Sequence, residues 1–327
     1  MVTTLITGGT GLLGNNIIRR LLAQGETVRA LVRPDAGLRP LADLDIEISR
    51  GDVRDAAALS RAARGVATII HAAAIVHIGR LGLARHRSTN VEGTRNVAQA
   101  ALGAGARLVQ VSSVDALGPG TARRPADEET PGPVAPYCPY SVTKWEAEGV
   151  VREFASRGLD AVIVNPGFML GPWDWTPSSG RMLLLVARGL ARWAPPGTNS
   201  FCDARDVADG VLAAAARGQG GRRYILAGES LSYLEAWRIF ADVTGAPPPR
   251  GEVGRRVLSL VGGAGDLWAR LSGREGDINS TATTMAQLPR FYNQERARRE
   301  LGYSTRGVRE SSKDAYDWFR SHGYLAA

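Results

Sequence analysis

The sequence predicts an α/β protein: a doubly wound parallel sheet with helices on both faces, joined to a smaller, mostly helical second lobe. Three observations carry this. The opening apolar run (Val2, Leu5, Ile6) meets glycines at 8, 11 and 14, followed by a helical pattern with Ile17, Ile18, Leu21 and Leu22 apolar. Short apolar runs then alternate with helical stretches as far as Pro166-Gly167, the rhythm of parallel strands linked by crossover helices. Beyond Gly167 that rhythm stops, and Phe168 to Asn199 becomes rich in Gly, Pro and Trp.

The first strand, turn and helix form a place for an anion. Backbone N–H groups at a helix start, with the helix dipole behind them, favour a pyrophosphate. In the run GGTGLLG, Gly8 permits the turn, Gly11 lets backbone approach the phosphates and Gly14 lets the helix pack on the strand. The spacing is GxxGxxG rather than the more usual GxGxxG of dinucleotide sites. Contacts to a dinucleotide are therefore expected from Gly8, Thr10, Gly11, Leu12, Leu13 and Gly14.

Thr27–Val32 reads as the second strand, ended by Arg33-Pro34. An acid at this strand end would bond the ribose 2′-hydroxyl of NAD(H); here Val32 occupies that place and Arg33 follows, which suits the 2′-phosphate of NADP(H). NADP(H) is thus favoured over NAD(H). A third strand, Ile46–Ser49, runs into Asp52-Val53, where Asp52 either accepts from an adenine amino group or caps the helix starting near Asp55. The fourth strand, Ala67–Ile70, leads to His71 and then Ala72, Ala73 and Ala74, small enough for a cofactor to lie against their backbone. His71 is read as structural, and His77 and His86 as loop residues. A helix over Thr89–Leu102 carries Asn90 near its start, and a fifth strand, Arg107–Ser112, ends in Ser112-Ser113. After a Gly/Pro-rich loop (118–136) come a helix from Tyr137 to Ser156 and a sixth strand, Val162–Asn165.

Beyond Gly167, helices are expected near Arg181–Ala191, Arg205–Arg217, Leu234–Thr244, Gln294–Leu301 and Ser312–His322, with a strand at Tyr224–Ala227 that rejoins the sheet. Arg255–Leu271 is apolar enough to touch a membrane, but Gly262, Gly263 and Gly265 interrupt it, so a helix pair covering a substrate site is expected. The resulting division is 1–167 with 198–228 for the dinucleotide lobe, and 168–197 with 229–327 for the substrate lobe.

Composition narrows the function. A 327-residue chain with 44% hydrophobic and 22% charged residues fits an ordinary globular protein. No apolar run reaches the roughly 18 residues of a membrane span, and no leader is read at the N-terminus. Cys138 and Cys202 lie far apart without metal-ligand spacing, which predicts free thiols, no metal and a cytoplasmic location. The net charge of +8 comes from scattered arginines with no basic run among aromatics, so no nucleic-acid partner is expected. Only two of the 40 basic residues are lysines, and one of them, Lys144, stands four residues after Tyr140.

That pair decides the chemistry. Four apart on a helix, Tyr140 and Lys144 share a face. A nearby ammonium is expected to lower the phenol's pKa, so that Tyr140 can exchange a proton with a substrate oxygen. The hydroxyl of Ser113, at a strand end, would orient the same oxygen.

With TGGTGLLG, NVEGTRNV (90–97), VSSVDALGP (111–119), YSVTK (140–144), NPGFMLGP (165–172), RDVADG (205–210) and the LGY near 301, the chain resembles the extended short-chain dehydrogenase/reductase family over nearly its whole length. Within it, the chain is similar to dihydroflavonol-reductase-like, 3β-hydroxysteroid-dehydrogenase-like and hopanoid-associated sugar epimerase members. The resemblance implies a Rossmann lobe with NAD(P), a catalytic set of Ser113, Tyr140 and Lys144 with Asn90 as helper, and Pro166 and Gly167 beside the nicotinamide amide. It also suggests a homodimer. Two positions depart from nucleotide-sugar members. Asn199 stands where they carry an arginine for the sugar diphosphate, and Asp115 stands where they often have a small or hydroxyl residue; Asp115 either faces substrate or bonds backbone. Trp173 and Trp175, with Phe168 and Met169, either wall an apolar pocket or pack between the lobes.

The expected function is an NADP(H)-dependent oxidoreductase moving hydride to or from a mostly apolar ketone or secondary alcohol. The alternatives are a nucleotide-sugar epimerase or dehydratase with the same triad, and a non-catalytic NADP-binding regulator.

Overall fold

The computed structural model describes residues 4–133 and 137–325; Val2 and the end of the Gly/Pro-rich loop lie outside them. Seven strands form one parallel sheet: β1 (Thr4–Thr7), β2 (Val28–Val32), β3 (Glu47–Arg50), β4 (Thr68–His71), β5 (Arg107–Val111), β6 (Ala161–Pro166) and, later in the chain, β9 (Arg223–Leu226), in the order β3-β2-β1-β4-β5-β6-β9. Strand order reverses between β1 and β4, whose last residues Thr7 and His71 are in register. In open α/β sheets a ligand crevice lies outside the strand ends at such a point.

Alternation along the strands builds two cores. Ile6, Ile70, Val109, Val162 and Val164 face α1 (Leu12–Ala23), through Ile17, Ile18 and Leu21, and also α7 (Ala204–Arg217), through Val207, Val211 and Ala214. Their neighbours Leu5, Ile69, Leu108 and Ile163 face the other way. They meet Leu59 of α2 (Ala56–Ala62), Val97 and Ala101 of α4 (Gly93–Ala104), and Val150 and Phe154 of α5 (Pro139–Ser156). With both faces covered, the strands read as nearly continuous apolar runs.

The approach to α4 differs from a plain helix. A short α3 (Leu83–His86) passes through a π-helical turn, Arg87–Glu92, into α4, and Asn90 sits on that turn. Single π turns recur at functional sites.

The second lobe contains strands that periodicity does not reveal. β7 (Phe168–Leu170), β8 (Thr198–Asp203) and β10 (Glu229–Ser232) form a three-stranded sheet, with β8 between an antiparallel β10 and a parallel β7. Of the segment 198–228, β8 therefore belongs to this smaller sheet, while α7 and β9 serve the larger one. α6 (Gly180–Ala187), α8 (Tyr233–Thr244) and α12 (Val308–Ser321) close a core of Leu183, Phe201, Trp237, Phe240, Trp318 and Phe319 over it.

The stretch expected to break at its glycines is one unbroken helix, α9 (Arg255–Ser272), packed on α10 (Ser280–Met285). Gly262 and Gly265 mark the contact itself. A Cβ on Gly262 would stand 2.9 Å from Ser280 Cα, and one on Gly265 2.8 Å from the Ile278 carbonyl carbon. The short α11 (Glu295–Leu301) packs under β9 and α7.

Candidate active site

The glycine turn explains itself residue by residue. Gly8 has φ +79°, and a Cβ there would lie 2.6 Å from Ala73 N and 2.7 Å from the Ala72 carbonyl carbon. A Cβ on Gly14 would lie 2.7 Å from the Gly8 carbonyl carbon and 2.9 Å from Gly9 Cα. Both glycines are demanded by the protein's own packing. Gly11 is not: its φ is −88°, and a Cβ would meet only Gly8 O, at an ordinary 3.5 Å. Gly11 is the N-cap of α1, and no side chain caps the first-turn N–H groups at Leu12 and Leu13. An uncapped helix start with open space over its glycine is the cradle a pyrophosphate fits.

Beside it, Ala72 N donates to Thr7 O (3.1 Å) and Ala73 N to Thr7 Oγ1 (3.3 Å), so the loop Ala72–Ala74 runs across the end of β1. His71 is structural: its Nδ1 lies 2.6 Å from Thr7 Oγ1, and burial, with the Lys144 charge behind it, pushes its pKa down to about 3. At the end of β2 the Arg33 side chain is 63% exposed, with Asp35 3.8 Å away. Asp55, not Asp52, caps α2, accepting from Ala58 N at 3.0 Å. Asp52 is held by Arg54, whose Nε and Nη2 donate to its two oxygens at 2.9 and 2.8 Å, and that contact lowers its pKa. Val53 is buried beneath Gly93, its carbonyl accepting from Asn96 Nδ2 at 3.1 Å.

Tyr140 and Lys144 lie on the buried face of α5, beside the end of β5. The Ser113 hydroxyl faces that of Tyr140 and accepts from Asp115 N at 3.1 Å. The expected acidification of the phenol is reversed. Burial pushes the Tyr140 pKa well up, the Asp115 carboxylate pushes it further, and the Ser113 contact only partly opposes them. Lys144 donates from Nζ to Val111 O at 2.9 Å, and burial pulls its pKa down to about 8 against the opposing charge of Glu148. Spacing placed the two groups on one face but did not direct the ammonium at the phenol.

Asn90 fastens the neighbouring backbone. It accepts from Ile75 N at 2.8 Å, donates to Ile75 O at 3.1 Å and donates to Thr143 Oγ1 at 3.0 Å. At the end of β6, Pro166 is buried and Gly167 N donates to Leu226 O at 3.1 Å.

Two further residues belong to this region. Glu148 is fully buried one turn beyond Lys144. It accepts from Ser112 Oγ (2.6 Å) and Asn165 Nδ2 (2.7 Å), with Arg223 and Arg152 at 3.2 and 3.3 Å. Its signal was present in the sequence, as an acid four past the lysine on the same face. Arg290 carried no such signal. Buried from the second lobe, its Nη1 meets Asp115 Oδ1 at 3.1 Å. The Asp115 carboxylate thus pairs with this arginine across a small cleft lined by Leu117, Ser141, Met285, Leu288 and Tyr292. Asn199 is buried and donates to Tyr233 Oη at 3.1 Å.

Of the two courses open to these aromatics, the tryptophans take packing rather than a pocket wall. Trp175 packs edge-on against Trp318 at 5.1 Å and Trp173 lies 6.1 Å from it, with the Arg19 guanidinium 3.4 Å over the Trp173 ring. Trp173 has φ +72°, and Pro172 O accepts from Asn16 Nδ2 at 3.0 Å. These tryptophans seal α1 to α12 instead of lining the cleft. Phe168 packs on Phe201 at 5.0 Å within the second lobe, and Met169 leans on the α1–α7 core. A separate cavity of about 630 Å³ outside α5 holds none of the expected site residues. Its arginines include Arg152 and Arg223, paired with Glu148, and Arg296, paired with Glu129.

A doubly wound sheet with a glycine cradle at its switch point, and a buried tyrosine, serine and lysine beside it, defines a dinucleotide-dependent enzyme. The NAD dependent epimerase/dehydratase family model matches residues 4–227, and the chain belongs to that family as an oxidoreductase-type member. It is 35% identical over 328 residues to sterol demethylase protein B of Methylococcus capsulatus, covering 99% of this chain and 100% of that one. It is 30% identical over 318 residues, 95% of each chain, to the 4-hydroxy-2-methyl-3-oxo-4-farnesyl-3,4-dihydroquinoline-1-oxide ketoreductase of Stigmatella aurantiaca. A solved nucleoside-diphosphate-sugar epimerase from Pseudomonas aeruginosa superposes with a TM-score of 0.81 at 28% identity, covering 99% of both chains.

Proposed function

We propose that the chain is an NADP(H)-dependent reductase or dehydrogenase acting on a ketone or secondary alcohol of a mostly apolar molecule. One observation carries the choice over nucleotide-sugar chemistry: among the described residues lining the cleft beside Tyr140, the cation, Arg290, is already neutralised by Asp115. A sugar diphosphate needs cationic partners. At position 199 a buried asparagine is tied to Tyr233, and the remaining wall is largely Leu117, Met285, Leu288 and Tyr292. The names of the Methylococcus and Stigmatella relatives, a sterol demethylase protein and a farnesyl-quinoline ketoreductase, point the same way.

Bound nicotinamide would supply or accept the hydride. In the reductive direction, Tyr140 donates its hydroxyl proton to the substrate oxygen as that oxygen gains charge. Ser113, facing the same hydroxyl, orients that oxygen. Lys144, held by Val111 O and kept cationic by Glu148, would supply a donor to the nicotinamide ribose. Asn90 positions the Ile75 loop and the Thr143 turn between them. Pro166 and Gly167 border the nicotinamide amide. At the adenosine end, Arg33 is exposed at the end of β2 and Asp52 is engaged with Arg54, which leaves a basic strand end suited to a 2′-phosphate.

The test is absorbance at 340 nm with NADPH and a panel of steroid, prenylated and aryl ketones, with UDP- and dTDP-sugars run beside it. Net oxidation with an apolar ketone, lost in Tyr140→Phe while dinucleotide binding persists, is the expected result. Sugar-nucleotide turnover without net absorbance change would establish the epimerase reading instead. Binding without turnover, the same in wild type and Tyr140→Phe, would leave a regulator.

A further inference from the structure

Helix α9 presents the wrong face to water. Its packed side carries Leu258, Gly262, Gly265 and Ala269, which meet α10 and the segment before it. The opposite side carries Val257, Leu260, Val261, Leu267, Trp268 and Leu271, all exposed, with Leu260 at 75%, Trp268 at 68% and Leu271 at 77%. Single exposed apolar residues are ordinary, but a continuous apolar face on an outer helix marks an interaction surface. Ile278 and Leu81 extend it past the helix end, where Leu81 N donates to Glu275 at 3.1 Å.

Charge identifies the occupant. Arg256 and Arg270 fall on the side of the helix next to Leu260 and Leu267, and none of Arg255, Arg256, Arg270 and Arg274 forms an ion pair among the described residues. The one acid within the helix, Asp266, is turned to the packed side, accepting from Ser280 N at 2.9 Å and meeting Arg80 at 3.5 Å. Leucines with a tryptophan on one face and unpaired arginines along its edge are the pattern of a helix lying in an anionic lipid interface. A second copy fits poorly, because a two-fold contact sets this face against itself and brings unpaired arginines together without acids. At 18 residues α9 is about 27 Å long, and no described helix is long and apolar enough to cross a bilayer. It would lie flat.

We infer that α9 docks the protein on the surface of an anionic lipid bilayer. The docked face lies one helix away from the cleft: α10 packs on α9 and carries Met285, which lines the cleft beside Asp115. The loop holding Val76 and Leu81, both exposed, continues from Ala72–Ala74 to the same edge. The inference goes beyond the reductase reading without depending on it, because its readout is binding rather than turnover.

The experiment is co-sedimentation of the full chain with vesicles of phosphatidylcholine, alone or mixed with phosphatidylglycerol. Wild type is expected to bind the mixed vesicles, more weakly at high salt. L260Q/L267Q/L271Q should need roughly tenfold or more lipid for half-binding. The L260A/L267A/L271A variant, which keeps helix propensity, should lose binding in the same direction. R255Q/R256Q/R270Q should lose the preference for phosphatidylglycerol. Failure of wild type to bind, unchanged binding in both leucine variants, or an undiminished phosphatidylglycerol preference in the arginine variant would overturn the inference. So would a wild-type dimer, seen by sedimentation equilibrium, that becomes a monomer in L260Q/L267Q/L271Q, since a second copy would then be what covers α9.

Discussion

Lys144 offers a measurement that isolates one buried charge. Its pKa in the folded protein is about 8 against 10.5 for an ordinary lysine, with burial the main cause. A lowered lysine pKa means that the unfolded chain binds the extra proton between those values, so stability rises with pH there. Below pH 8 both states are protonated and the folded state bears the full cost of the buried ammonium. The linkage relation gives a gain of about 2–3 kcal/mol on going from pH 7 to pH 10, from these two pKa values. Lys144→Met removes the titration and keeps the bulk. It also leaves Val111 O without its donor, but that loss does not change with pH and cancels in the comparison. Urea unfolding of both proteins, without dinucleotide, should show wild type gaining about 2–3 kcal/mol relative to Lys144→Met between pH 7 and 10. Parallel pH curves would mean that Lys144 is solvated in the folded state and that the burial argument fails.

Four other substitutions probe the cradle, the adenosine end and the ion pair. Gly11→Ala meets only an ordinary contact, so its melting temperature should stay close to wild type while NADPH affinity, by fluorescence titration, falls at least tenfold; Gly14→Ala, which collides with Gly8 and Gly9, should lose stability first. Arg33→Ala should weaken NADP(H) binding by roughly tenfold or more and leave NAD(H) nearly unchanged, since a charge-assisted bond to a phosphate is worth about 1.5–3 kcal/mol; equal losses would remove Arg33 from phosphate recognition. Asp115→Ala strands the buried Arg290 and should cost about 3–5 kcal/mol in denaturant unfolding, whereas a loss under about 1 kcal/mol would mean that water reaches the pair.

Local chemistry was legible in the sequence and long-range pairing was not. Gly8 and Gly14 could be read because the constraint on each comes from residues a few positions away or from the next strand end. Strands β1, β2, β4, β5 and β6 announced themselves as apolar runs because both faces of the sheet are buried there, while the edge strand β3 (Glu47–Arg50) is partly exposed. β7, β8 and β10 did not, since β7 is only three residues long and β8 (TNSFCD) and β10 (ESLS) are mostly polar. Trp173 and Trp175 looked like pocket lining because their partners, Arg19 and Trp318, come from opposite ends of the chain. The same holds for Asp115 and Arg290. Two of the glycines expected to break α9, Gly262 and Gly265, are instead its points of close contact, a difference that only the neighbour's position reveals.

The reversal at Tyr140 bears on the direction of the proposed reaction. With its pKa raised by burial and Asp115, the phenol keeps its proton throughout the neutral range, and Lys144, near 8, is still mostly an ammonium at pH 7. Both groups therefore stand as proton donors. That state suits reduction, in which a developing alkoxide is the base, and opposes oxidation, which must first strip the phenol. Oxidation is accordingly expected to gain rate as pH rises through about 8, where Lys144 loses its proton and the buried site gains a neutral amine that can take one up, while reduction falls over the same interval. Opposite pH trends for the two directions, both centred near pH 8 and both flattened in Lys144→Met, would tie them to this lysine. Profiles that move together would place the controlling titration elsewhere.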